Sequence, residues 1–363
     1  MNRIRENLEF RILPKPISFV LGLVAFAAFI LGCSSDEQQA PKPDCDFDGI
    51  CDPHEECLKC PDCCVGCTTD GDRRYEYIVN EFSIGTEEDY DEVGVDIDDD
   101  GEIDNKMLQG ALLAMYPEDW NLMFQELVQS GRYILLIRLD VDESLAPEPT
   151  AIHIFSGDLD PTHDATEDNL TGEGHARIAP DTDESQWLCG VLDDFALGGM
   201  YADLSIPFPI IDPKTVMPVV VPLQKVKVRS EDPVFSSGFN RLHVGGGMTR
   251  DTIQNIVIPA MARVLDHAAR FDPNGKIGHF ALQWIDADCS MIPEGCADVT
   301  YGEGECAPWD GDPSSTAITA TEVRCETTTS IMFQPDVDID GDGLKDLVSV
   351  GFMVSGVPIT IDQ

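Results

Sequence analysis

Apolar positions along this chain follow two periods, which predict a body built mainly from strands with two helices. Alternating or short continuous apolar runs rich in branched residues predict strands, whereas apolar residues at i, i+3, i+4 and i+7 predict a helix. Such strand patterns occur at 75–84, 133–141, 151–155, 204–211, 216–228, 240–244, 277–284, 316–323, 328–333 and 347–361. We therefore predict a β-rich α+β fold whose body resembles a β-sandwich.

Two segments carry the helical period instead. The first begins near Pro117, presents an apolar face that includes Trp120 and Phe124, and ends at Gly131. The second runs from about 249 to 270 and contains Pro259, which predicts a kink. Both apolar faces are interpreted as packing surfaces of the body.

Proline and glycine positions refine the strand prediction. Pro218 and Pro222 indicate that the strand at 216–228 lies at an edge or is bulged. The triplet Gly245–Gly247 lacks the spacing of a phosphate-binding loop, so it is interpreted as a flexible turn. The polar residues 158–186 are interpreted as a long loop.

Two decapeptides, Val95–Asp104 and Val337–Asp346, share the pattern V-D-I-D-x-D-G-x-x-D. Carboxylates at loop positions 1, 3, 5 and 9 supply the oxygen ligands that calcium prefers, and glycine at position 6 permits the sharp turn. Carboxylates this close repel one another unless a cation neutralises them. The pattern predicts two calcium sites, although an acidic solvated turn is the alternative. The predicted ligands are Asp96, Asp98, Asp100 and Asp104 in the first loop and Asp338, Asp340, Asp342 and Asp346 in the second.

These loops resemble those of thrombospondin type 3 repeats and dockerin modules. They depart from the EF-hand because position 12 holds Met107 in one loop and Ser349 in the other, where a bidentate Glu would stand. Further ligands would then come from Asp91, Glu92, Asp336, backbone carbonyls or water. The pair is predicted to pin strand connections structurally, and to mark a duplicated element.

The charge balance is strongly acidic. Among 363 residues, 67 are acidic and 23 basic, which gives a formal net charge of -44. Such a surface disfavours binding to nucleic acid, and adaptation to saline surroundings would also explain it. Bound calcium would relieve part of the self-repulsion.

The amino terminus predicts export. Basic residues precede a charge-free apolar run at 17–31, as in a signal peptide covering 1–32. The run is about 15 residues long, whereas a membrane span needs roughly 20. Ile30–Cys33 resembles the lipobox of bacterial lipoproteins, which implies lipidation of Cys33, a tether at 33–44 and an extracytoplasmic location in the cell envelope, with the outer membrane expected.

A cysteine-rich module follows at 45–70, and the calcium-binding body is predicted at 71–363, with a division into halves 71–190 and 191–363 left open. The module resembles small modules next to the lipid anchor of secreted bacterial proteins, which implies disulfides. Zinc binding with His54, or an iron–sulfur cluster at the C-x2-C-x2-C-x3-C spacing, are the alternatives. The twelve disulfide candidates are Cys45, Cys51, Cys57, Cys60, Cys63, Cys64, Cys67, Cys189, Cys289, Cys296, Cys306 and Cys325.

The number of cysteines in the module is odd, so full pairing requires at least one bridge to the body. Cys289 with Cys296 and Cys306 with Cys325 are plausible local pairs, which leaves Cys189 for the module.

Motifs of enzymes are absent from the sequence. It contains no G-x-S-x-G and no H-E-x-x-H, and its histidines are scattered. We therefore predict a lipid-anchored, calcium-stabilised surface protein that binds a protein or glycan ligand without catalysis. Two alternatives remain: a secreted hydrolase whose site combines His153, His163 or His175, and a purely structural envelope protein.

Overall fold

The computed structural model of the chain divides into two units, Met1–Pro43 and Asp44–Gln363. The structure describes residues 67, 69, 71–85, 92–98, 101–107, 117–144, 148–159, 170–172, 174–193, 196–230, 237–285, 317–339 and 343–362. The predicted signal peptide, the lipidation site Cys33, the tether and the module cysteines before Cys67 lie outside the described residues.

Ten strands form the described part of the body. They are β1 Arg73–Ser83, β2 Leu135–Val141, β3 Glu148–Leu159, β4 His175–Ile178, β5 Leu188–Asp193, β6 Ala196–Asp212, β7 Met217–Ser230, β8 Phe239–Met248, β9 Val348–Pro358 and β10 Thr360–Asp362.

Five helices accompany them in the described part of the chain. Helix α1 is Pro117–Gln129, α4 is Ala320–Cys325 and α5 is Thr327–Met332. Helix α2 consists of Arg250–Thr252, the π-helical turn Ile253–Val257 and Ile258–Phe271. Helix α3 is Lys276–Phe280 and continues as the π-helical turn Ala281–Ile285.

Eight of the strands close into an antiparallel barrel, so the predicted β-sandwich is wrong. They pair in the order β3-β2-β1-β9-β8-β7-β6-β5, and β5 pairs back to β3. Bulges interrupt the register of β1, β6, β7 and β8, and bulges give a sheet the local bend and twist that closure requires. Strand patterns predict which segments pair but not whether the two edges of the sheet meet.

The barrel interior is packed with apolar side chains. Along β2, Leu135, Ile137 and Leu139 point inward, and each is at most 1% exposed. The alternate residue Leu136 points outward into a second cluster, which the short parallel pair β4 and β10 covers. The barrel interior is therefore filled by apolar side chains.

Three segments predicted as strands are helical. Residues 277–284 lie in α3 and its π-helical turn, the described part of 316–323 leads into α4, and 328–332 lie in α5. Short apolar runs do not separate a buried strand from a buried helical turn. At α4 the local signal is a capping box, because Thr319 and Glu322 cap each other's backbone N–H groups.

Other predicted elements are placed as follows. The helix at 249–270 is α2, where Pro259 follows the π-helical turn and sits in the first turn of the next segment. Pro218 and Pro222 lie where β6 alone pairs with β7, which fits the edge prediction. Gly245–Gly247 belong to β8, so the flexible turn is wrong, and the predicted loop at 158–186 contains β4.

No helix in the described ranges combines the length and apolarity that crossing a bilayer requires.

Candidate metal centre

The two acidic loops lie side by side although they are near opposite ends of the sequence. Val95 and Ile97 of the first loop pack with Val337 of the second loop and with Leu347, which directly follows it, and all four side chains are at most 2% exposed. Partly buried Ile339 completes this small apolar cluster. The loops are therefore docked on each other through the apolar residues that alternate with their aspartates.

An equivalent backbone hydrogen bond joins the two ends of each loop. The N–H of Asp104 donates to the carbonyl of Val95 at 3.0 Å, and the N–H of Asp346 donates to the carbonyl of Val337 at 2.7 Å. These residues occupy equivalent positions of the shared pattern, as a duplicated element requires.

The turn inside each loop is also equivalent. The N–H of Gly101 donates to Oδ2 of Asp96 at 2.9 Å, and the N–H of Gly343 donates to Oδ2 of Asp338 at 2.8 Å. Gly101 has φ 90° and Gly343 has φ 87°, in the left-handed region that glycine tolerates. Position 6 is thus glycine because the backbone turns there.

Three predicted ligands of the first loop converge. One carboxylate oxygen from each of Asp96, Asp98 and Asp104 lies within 4.8 Å of the other two, which is a spacing that one cation can bridge. Asp98 is 8% exposed, and its buried Oδ1 has no hydrogen-bond partner among the described residues. Such a group is costly unless a cation or water satisfies it. Asp100, Asp340 and Asp342 lie outside the described residues.

The carboxylates repel one another. Burial raises the pKa of Asp104 to about 7, with further increases from the charges of Asp98, Asp336 and Asp96, although the N–H of Ile97 donates to Oδ2 at 2.6 Å and opposes the rise. Asp336 belongs to the approach to the second loop, so the two loops share one acidic environment. A divalent cation would favour the charged form of Asp104.

Basic side chains of β7 hold the loop backbones. Lys227 donates from Nζ to the carbonyl of Asp96, and Lys225 donates from Nζ to the carbonyl of Ile339 at 3.4 Å. Arg229 donates to carbonyls just before the first loop. No motif marked these residues in the sequence, although K-x-K-x-R is conspicuous in a chain with only 23 basic residues.

Glycines of β8 and β9 form the surface on which the two loops pack. A Cβ on Gly245 would lie 2.6 Å from Cγ2 of Val95, and a Cβ on Gly247 would lie 2.4 Å from Cδ1 of Leu347. A Cβ on Gly351 would lie 2.5 Å from Cα of Gly94. These strand positions are glycine because the loops pack directly on the sheet backbone.

Two of the additional candidate ligands are engaged elsewhere. Asp336 accepts hydrogen bonds from the N–H of Ser349 at 2.8 Å and from its Oγ. Ser349 Oγ in turn accepts from the N–H of Lys106 at 2.6 Å, which links the end of the first loop to β9. Glu92 is exposed and lies 3.5 Å from Arg241. Asp91 lies outside the described residues.

Two of the histidines predicted to converge, His153 and His175, do not share a site. His153 lies in β3 with 1% exposure, whereas His175 is on the surface at the start of β4, 3.5 Å from Asp362. The register pairs Leu159 with Ala176, which puts His153 and His175 about seven residues apart along the sheet, roughly 20 Å. His163 lies outside the described residues.

His153 belongs to a buried polar cluster on the outer face of β2 and β3. Its Nε2 lies 3.4 Å from Oδ2 of Asp140, which is also 1% exposed. Arg138 approaches the same oxygen at 3.3 Å, and Arg74 donates to Oδ1 at 2.7 Å. The ring stacks on Phe155 with centroids 5.4 Å apart. Burial and the charge of Arg138 lower the pKa of His153 to about 4, although Asp140 opposes the decrease.

This histidine makes stability depend on pH. The unfolded chain takes up a proton on His153 near pH 6.5, whereas the folded protein does so only near pH 4. The stability contributed by neutral His153 is therefore complete above pH 6.5 and is lost as the pH falls towards 4. Between pH 7 and pH 5 we expect His153 to contribute a loss of about 2 kcal/mol in the free energy of unfolding, measured in urea as the difference in pH dependence between the unmodified protein and a variant without this histidine.

The variant His153→Gln should lack that component, so its free energy of unfolding should fall less between the two pH values. His279→Gln, at an exposed position of α3, is the matched control and should keep the wild-type dependence. Identical pH dependence in all three proteins would show that His153 is not the group responsible.

A disulfide joins Cys67 to Cys189, with Cα atoms 5.6 Å apart. This is the bridge from the module to the body that the parity of the cysteines required, and it uses the cysteine predicted for it. Cys189 lies in β5 opposite Ala151 of β3. The chain that enters β1 is therefore fastened to the barrel wall opposite β8 and β9 in the ring of strands.

Comparison with protein-family models, with curated proteins and with solved structures found no match for this chain.

Proposed function

We propose that this protein is a calcium-stabilised, lipid-anchored barrel of the bacterial cell envelope, whose paired acidic loops bind calcium as structural sites. The observation that carries the calcium proposal is the convergence of Asp96, Asp98 and Asp104, with a buried and unsatisfied oxygen on Asp98. Oxygen-only ligands favour calcium over softer metals. The matching backbone of the second loop supports a second site.

The proposed location rests on the lipobox-like Ile30–Cys33 and gains support from the disulfide between Cys67 and Cys189. Disulfides persist in oxidising compartments such as the outside of a bacterial membrane. Calcium is also abundant outside cells, where modules with dissociation constants of about 0.1 to 1 mM are occupied.

A binding role is favoured over a purely structural one by the end of the β6–β7 hairpin. Val216, Met217 and Val220 are 64%, 40% and 46% exposed there. All three lie at or near the turn between β6 and β7, and exposed apolar patches are typical of contact surfaces for a partner. The scattered histidines, by contrast, give the hydrolase alternative no site shared by His153 and His175.

Calorimetric titration of the full-length chain in detergent with calcium chloride tests the metal proposal. We expect two bound calcium ions. Asp104→Asn should weaken one site and Asp338→Asn the other, each by at least about tenfold, because each variant removes a charged ligand. Asp181→Asn makes the same charge change at an exposed position and should keep both sites.

No calcium binding by the unmodified protein at millimolar calcium would refute the proposal. Equal weakening by all three variants would mean that the calcium affinity depends only on the overall charge of the protein.

A further inference from the structure

Two groups of the second loop contact Asp98, a predicted ligand of the first loop. Lys345 of the second loop places Nζ 3.4 Å from Oδ2 of Asp98, the position-3 ligand of the first loop. The backbone N–H of Asp338 points at the same oxygen, also at 3.4 Å. The side chain of Asp98 is 8% exposed and that of Lys345 is 47% exposed, so an ammonium at the surface pairs with a mostly buried carboxylate.

The two oxygens of Asp98 are therefore different. Oδ2 carries the cross-loop contacts, whereas buried Oδ1 has no hydrogen-bond partner among the described residues. A calcium ion bound between Asp96, Asp98 and Asp104 would meet the positive charge of Lys345 close to one ligand. That charge both neutralises Asp98 in the absence of calcium and repels a second cation.

We propose that Lys345 is a tethered cation that lowers the calcium affinity of the first loop, so that the second loop sets the affinity of the first. This inference rests on the proposed calcium function and adds its regulation. Since Lys345 is anchored beside Gly343 and Asp346, the position of its ammonium depends on the conformation of the second loop.

The experiment measures calcium binding calorimetrically to the full-length chain in detergent and to single variants. Lys345→Met removes the charge and keeps most of the side-chain volume, whereas Lys345→Arg keeps the charge. Lys214→Met makes the same change of net charge at the exposed turn between β6 and β7. Melting temperatures measured in parallel show whether each variant is folded.

We expect Lys345→Met to tighten one site about three- to tenfold, from the loss of an ion pair and of cation repulsion. Lys345→Arg and Lys214→Met should change that site less than twofold. In the Asp98→Asn background, Lys345→Met should tighten the site less than in the unmodified chain, because the ion pair is gone and only the repulsion between the lysine and calcium remains.

Unchanged affinity in Lys345→Met, or equal tightening in Lys214→Met, would overturn the regulatory role while leaving calcium binding established. Absence of calcium binding in the unmodified chain would instead overturn the proposed function, and the regulation with it.

Discussion

Removal of calcium is expected to lower the melting temperature of this protein by about 10 °C. A ligand at 100 times its dissociation constant stabilises the folded state by about 2.7 kcal/mol per site, so two sites contribute about 5 kcal/mol. A domain of this size shifts by about 2 °C or more for each kcal/mol. The measurement compares thermal melts at equal ionic strength, one with calcium at about 100 times the dissociation constant found by calorimetry and one with excess chelator.

The size of the effect follows from what the loops connect. The first loop follows β1 and the second precedes β9, and these two strands are neighbours in the barrel. A bound ion therefore secures the junction between the first and last strands of the ring. Melting that is unaffected by the chelator would show that the loops are not structural calcium sites.

Salt provides the control for this experiment. The net charge of -44 means that any cation screens self-repulsion to some extent. Sodium chloride at matched ionic strength should restore little of the lost stability if calcium acts at the loops. Full recovery with sodium would identify general screening as the cause.

The internal conformation of the loops could be predicted because it is local. Aspartate at position 1 accepts from the backbone at position 6, and glycine is required where φ is positive, as at Gly101 and Gly343. All of these contacts are within ten residues. The pattern of a single loop therefore contains the information that fixes its shape.

The docking of the loops could not be predicted in the same way. It depends on Gly245 and Gly247 of β8, whose missing side chains make room for Val95 and Leu347. In the sequence, a glycine triplet before a helix is typical of a turn. No neighbouring residue indicates that the triplet instead lies in a strand against which a distant segment packs. The role of these glycines becomes visible only when the pairing of β8 with β9 is known.

The barrel and the buried cluster at His153 depend on register for the same reason. Arg138 is directly opposite His153 across β2 and β3, and Asp140 is two residues further along β2. A shift of one residue would turn these side chains to the other face of the sheet. The alternation of apolar residues predicted β2 and β3 correctly. It could not predict which polar residues on their outer face lie next to one another, because that depends on the register between the two strands.

The variant Asn105→Ala is expected to reduce the free energy of unfolding by about 3 kcal/mol. Asn105 is 5% exposed, and its Nδ2 donates to the carbonyls of Val93 and Gly351 at 3.0 and 3.2 Å. Its Oδ1 accepts from the N–H of Gly351 at 3.0 Å. Removing the amide leaves three buried backbone groups without their partner, at about 1 kcal/mol each.

The predicted loss should appear as a melting temperature lower by about 6 °C or more in calcium. Asn255→Ala is the control, since Asn255 is exposed on α2 and bonded to Asp251 at 2.7 Å, and it should cost less than about 0.5 kcal/mol.

Asn105→Asp tests the cause directly, because it keeps the size of the side chain while replacing the donor with a buried negative charge beside an acidic loop. If the amide acts through its hydrogen bonds, Asn105→Asp should be at least as unstable as Asn105→Ala. Stability in Asn105→Asp close to that of the unmodified protein would mean that only the volume of the side chain matters. The expected order, with the control most stable and the aspartate least, would show that the bonds of Asn105 to Gly351 hold the first loop on β9.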